Sequence, residues 1–181
     1  MTDSSRSVMA LASLGVGLVH LAVGAGSPLF LAILLVGFGI AELGWGVALL
    51  TRGRLVLPRA ALPLALTPVA LWGLDITASV ALGTSGVAAA LPFAPMAAAS
   101  ALSLFLGAVL TFARRRSLSP RPAASAPRPG RYLLGMTLGA MLVAGLVTPA
   151  LAGTNAGTAA VPHGEHGTST LDERPASHSG H

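Results

Sequence analysis

Three ionisable side chains stand inside long apolar runs of this chain: His20, Glu42 and Asp75. Placing an aspartate at the centre of a membrane helix costs about 2.5 to 3.5 kcal/mol. Such groups therefore turn toward the interior of a helical bundle, where they mark ion or proton paths. Helical periodicity sets Ser13, Gly17, His20 and Gly24 on one stripe, Gly39, Glu42 and Gly46 on a second, and Pro68, Trp72, Asp75 and Ser79 on a third. All three stripes are small or polar, so the helices carrying them are expected to meet there. At about 1.5 Å rise per residue, His20 and Asp75 come out at similar heights, with Glu42 about 10 Å further along. The expectation is direct contact between His20 and Asp75, with Glu42 reached through a water or a neighbour. The chemistry would be a proton or cation relay. The bland reading is an interhelical polar core whose carboxyl groups stay neutral. No H-x-x-x-H or D-x-x-x-D pair within a span points to a metal there.

Metal chemistry is better placed in the C-terminal tail. His163, His166, His178 and His181 form two H-x-x-H pairs. Neutral imidazoles ligate Cu, Zn or Ni ions, and Glu165, Asp172 and Glu173 could add oxygen ligands. Ordering a flexible tail costs about 1 to 2 kcal/mol per residue fixed, which weakens such a site. A hydrated tail with incidental histidines is the alternative. The chain has no cysteine, which excludes disulfides, thiolate metal sites and thiol nucleophiles. Met96, Met136 and Met141 lack the close spacing of a Cu(I) pair and read as packing, as do Trp45 and Trp72. The stretch TPALAGTNAGTAAVPHGEHG, Thr148 to Gly167, is similar to the tails of uncharacterised small multi-pass membrane proteins that end in a His/Gly-rich segment. That resemblance implies a metal-related role and assigns no residue a function.

The elements that must position these groups are membrane spans. The 181 residues are 53% hydrophobic and 9% charged, against about 25% charged in a globular domain. Leu29 to Leu50 is a run of 22 residues with one charge, longer than the roughly 20 needed to cross a hydrocarbon core. Further spans fall at Val8 to Ala25, Ala60 to Leu82, Phe93 to Ala113 and Tyr132 to Leu151. The predicted fold is an all-α, five-helix polytopic integral membrane bundle over residues 1–152, with a disordered tail at 153–181. The uncharged connection Gly24 to Pro28 predicts an antiparallel hairpin of spans one and two. Pro68 should kink span three by removing one backbone hydrogen bond. Gly135 and Gly139 form a G-x-x-x-G that suits close packing against another helix or a second copy.

All 11 basic residues are arginine. They lie in loops, without the aromatic interleaving of single-strand binders, so nucleic acid is not an expected partner. Residues 114–131 hold six arginines and four prolines and read as an extended cytoplasmic linker. With the N-terminus inside, ten arginines fall on the cytoplasmic side and only Arg174 outside, which predicts an outer C-terminus in the cell (plasma) membrane. The first run resembles a signal peptide, but His20 interrupts it and no clear A-x-A site follows. Thr148 to Ala152 ends in an A-L-A, a second cleavage-like pattern, and is read as uncut.

No nucleophile elbow, zincin motif, P-loop or Rossmann fingerprint is present, and the chain is not expected to be an enzyme. The leading expectation is a small membrane protein that handles or transports a divalent metal ion. In it the tail would capture the ion, and His20, Asp75 and Glu42 would form a proton-relay core. The rival expectation is a membrane scaffold or subunit whose buried polar groups are structural. The expected partners are the lipid bilayer and either a second copy or another membrane protein.

Overall fold

The computed structural model describes residues 3–53, 55, 57, 59–84, 91–117 and 129–159. Among them the chain is all helical, with α1 at Asp3–Ala25, α2 at Leu29–Arg52, α3 at Ala61–Leu82, α4 at Phe93–Ser117, α5 at Pro129–Ala152 and a short α6 at Asn155–Thr158. The first five are long and apolar enough to cross a membrane. Their outer faces carry exposed large apolar side chains, among them Leu29, Phe30, Ile33, Val80, Leu104 and Leu133, which suits contact with lipid. The chain is a multi-pass membrane protein.

The helices run beyond the apolar segments at their arginine ends. Arg52 is helical, and residues 114–117 and 129–131 of the segment read as a linker belong to α4 and α5. The edge of hydrophobicity is not the edge of the backbone ladder. Arginine is a good helix former and a cation is favourable at a helix C-terminus, which suits α2 and α4, while Pro129 suits the first turn of α5. Two glycines end helices where the left-handed conformation is needed: Gly53 (φ 61°) after α2 and Gly83 (φ 62°) after α3. In the second, the Thr84 amide donates back to Ser79 O.

At the other end of the bundle α1 turns tightly into α2. The Gly26 and Ser27 amides close on Val23 O and Gly24 O, and Ser27 Oγ donates to Val23 O. The first residues after α5, read from the sequence as the start of a disordered tail, are folded. Thr154 is buried and caps α6, accepting from the Gly157 amide, while Asn155 Nδ2 donates to Gly26 O. A hydroxyl at the N-cap position and an amide that reaches the α1–α2 turn account for this order.

α1 is the hub, packing against α2, α4, α5 and α6. In its apolar window 61% of residues are buried, against 11% in α3 and in α5. Glycines make this possible. A Cβ on Gly17 would lie 2.9 Å from Gly39 O, and one on Gly39 would lie 2.9 Å from Gly17 O. A Cβ on Gly46 would approach Ala10 O at 3.1 Å. On another side of α1, a Cβ at Gly15 would meet Val143 and Val147 of α5. Gly139 of the G-x-x-x-G lies against Val8 of α1, so its partner is a helix of the same chain.

The core has two apolar clusters. One gathers Val16, Val19, Val23, Leu35, Met96, Leu102 and Val147. The other gathers Met9, Leu49, Ala61, Ala65, Leu106 and Leu110. Trp72 packs on the first and Trp45 on the second. α3 packs mainly on α4, and it meets α1 and α2 through Ala61 and Ala65 of the second cluster. The expected three-way meeting of stripes is realised only between α1 and α2.

Candidate functional site

The α1–α2 interface sets the site. Glycines at 17, 24, 39 and 46 bring the two backbones together, leaving the larger side chains on the same stripes nowhere to go but along the interface. His20 and Ser13 enter from α1, and Glu42 from α2. His20 Nδ1 and Glu42 Oε2 are 2.7 Å apart. The side chains are 2% and 11% exposed, so the pair is withdrawn from solvent and lipid alike. Ser13 Oγ donates to the backbone carbonyl of Glu42 at 2.7 Å, fixing the turn of α2 that carries the carboxylate. The Phe38 ring, one turn before Glu42, lies 6.4 Å from the imidazole at 47°.

This arrangement corrects the pairing expected from helix heights. His20 bonds Glu42, and Asp75 is not part of the pair. Heights rank Cα atoms, whereas a helical side chain leans toward the N-terminus of its own helix. In an antiparallel pair, His20 on α1 and Glu42 on α2 therefore lean toward each other and span the offset. Asp75 instead lies on α3 in the wall of a separate cavity with Phe38, Pro68, Trp72 and Met96. Its register matches that of His20, but its helix packs mainly on α4.

Glu42 Oε1 is buried and accepts no hydrogen bond. Glu42 also lines a small cavity of about 40 Å³ together with Ser13, Phe38, Trp45, Ala65 and Leu106. That space exceeds the roughly 10 to 15 Å³ of probe volume needed to hold one water molecule. One proton between Nδ1 and Oε2 leaves the pair neutral overall, either as imidazolium with carboxylate or as imidazole with carboxylic acid. The proton can shift within the pair without changing its net charge, and the pair changes charge by one when a proton enters or leaves it.

No group of three or more His, Cys, Asp or Glu side chains that could hold a metal ion occurs among the described residues. His163, Glu165, His166, His178 and His181 lie outside the described residues. Sequence reasoning placed Ser13 on the correct stripe without a role, and did not single out Phe38. The available signals were spacing: Ser13 lies two turns before His20, and Phe38 one turn before Glu42.

Five spanning helices around a buried His–Glu pair define the protein as a polytopic helical membrane protein with an ionisable core. The chain matches no family model, and no curated protein or solved structure shows a match.

Proposed function

We propose that the chain is a small, non-enzymatic membrane protein that binds and passes protons in the service of ion handling, with His20 and Glu42 as the proton-binding pair. The observation that carries this reading is the 2.7 Å contact combined with the bare Glu42 Oε1 and the adjoining small cavity. A water in that cavity would donate to Oε1 and give the proton a route off the pair. Divalent metal capture by His163, His166, His178 and His181, with Glu165, is the proposed outer half of the same role. The arginine distribution supports an inner N-terminus, an outer tail and residence in the plasma membrane.

The test is proton flux into vesicles holding the purified full chain and a trapped pH dye. Glu42→Gln and His20→Gln are expected to reduce flux to that of empty vesicles, and Glu42→Asp to retain part of it. Flux from Glu42→Gln equal to that of the unaltered protein would rule the pair out as the carrier. Metal content by mass spectrometry, after equilibration with buffered copper, zinc and nickel, tests the tail. Retention should be lost in a chain ended at Gly153.

A second reading has its own support. The pair sits in the tightest interface of the bundle, where Gly17 and Gly39 leave no room for a Cβ. A purely structural bond between α1 and α2, in a scaffold or subunit that joins a second copy or another membrane protein, fits that closeness. In that case the variants lower stability, and no flux above empty vesicles is seen with any of them.

A further inference from the structure

α3 and α4 leave an open groove of about 410 Å³ between them. Leu62 and Leu66 of α3 form one wall, and Leu104, Ala108 and Phe112 of α4 the other. Arg115, near the C-terminal end of α4, is its one charged lining residue. We propose that this groove binds one anionic phospholipid, with an acyl chain along the leucines and the phosphate at the Arg115 guanidinium.

Length, wall chemistry and charge select this occupant. From Leu104 to Arg115 the helical rise is about 16 Å, which matches one leaflet, half of a hydrocarbon core of about 30 Å. The base of the groove is where Leu66 and Leu62 rest on Gly107, at which a Cβ would lie 3.1 and 3.5 Å from their Cδ atoms. Thr111, the other polar lining residue, donates its hydroxyl to Gly107 O at 2.8 Å. Short of Arg115 the wall therefore offers hydrocarbon alone. Arg115 itself is exposed, and no hydrogen bond or ion pair with another described residue engages it. Its planar fork of donors is open to a phosphodiester. Arg59, in the turn that leads into α3, stands at the same end and adds to the positive field. A zwitterionic lipid would bring a cation of its own to these arginines. A second copy of this chain, inserted with the same orientation, would bring its own arginine end to the same leaflet and meet Arg115 with like charge.

The groove shares no lining residue with the small cavity at Glu42, so the site stands whether or not the His20–Glu42 pair moves protons.

The test is native mass spectrometry of the full chain in detergent, titrated with phosphatidylglycerol or with phosphatidylcholine of the same acyl chains. One phosphatidylglycerol should bind about fivefold more tightly than phosphatidylcholine, equivalent to about 1 kcal/mol for one arginine near a membrane surface. Arg115→Gln should remove most of that preference. Ala108→Phe, which puts a ring into the groove from an exposed position, should weaken phosphatidylglycerol binding several-fold. Arg52→Gln deletes one charge at the same end but outside the groove and should leave affinity unchanged. A loss in Arg52→Gln equal to that in Arg115→Gln would reduce the effect to the general positive field and overturn the site. Equal binding of the two lipids by the unaltered chain, or phosphatidylglycerol binding undiminished in Ala108→Phe, would overturn it as well. So would displacement of the lipid by excess sn-glycerol 3-phosphate, because a head group held alone needs no groove. Should Arg115→Gln fail to fold, Ala108→Phe and the two-lipid comparison decide between them.

Discussion

At the scale of single residues, the pair of His20 and Glu42 is a bond made across a height difference. Neither partner can be replaced without exposing the other. Loss of the imidazole leaves Glu42 with two buried oxygens and no donor, because Oε1 already accepts nothing from the protein. Loss of the carboxylate leaves Nδ1 without its partner in the most buried of the five spanning helices. Hydrogen bonds between membrane helices are worth about 0.6 to 2 kcal/mol. A double-mutant cycle of His20→Leu and Glu42→Leu, read by reversible unfolding in bicelles, should return a coupling in that range. A coupling of zero would mean that the two side chains do not bond in the folded protein. The identity of the ionisable residues was legible in the sequence, because a charge inside an apolar run stands out. Their pairing was not, since residue counting gives backbone height and omits side-chain lean. Asp75 shows the same gap from the other direction: its height suits His20, but which helix stands beside which is a tertiary fact that no single stripe contains.

At the scale of elements, α1 and α2 form the tightest unit, and glycine is the reason. Gly17 and Gly39 each present bare backbone to the other, so a methyl group at either position would meet a carbonyl oxygen, which cannot swing away as a side chain can. Gly17→Ala and Gly39→Ala should each destabilise the bundle by about 1 to 3 kcal/mol, the usual cost of overpacking. Gly37→Ala and Gly44→Ala have open space around the new methyl. They should be neutral or stabilise by up to about 1 kcal/mol through helix propensity. Unfolding of the four variants under one set of conditions checks the contrast, and equal effects in both groups would show that the close approach is not used. Apolar length and Arg, Gly and Pro punctuation marked where each span lies to within a few residues. The remaining differences, at residues 3–7, Arg52, residues 114–117 and residues 129–131, arise where polar residues continue a helix beyond its apolar run.

For the whole molecule, the run Leu29 to Leu50 announces the membrane in the sequence, but α1 holds the bundle together. Centrality comes from how many sides of a helix are small enough to be approached, and α1 offers Gly17 and Gly24 to α2 and Gly15 to α4 and α5. The alternating helices carry the arginines to one end. Arg6 opens α1 and donates to Gly53 O beyond α2 at 2.8 Å, Arg52 closes α2, Arg59 precedes α3, and Arg114 and Arg115 close α4. The opposite end presents Ser27, Thr84 and the α6 turn, with no arginine among the described residues. A polarity so complete predicts a single orientation, arginines inside, because positively charged loops resist translocation. The chain has no cysteine, so introduced thiols report position without background. Thr84→Cys should react with an impermeant maleimide on intact cells, and Ala60→Cys only after the membrane is permeabilised. The reverse pattern would invert the orientation.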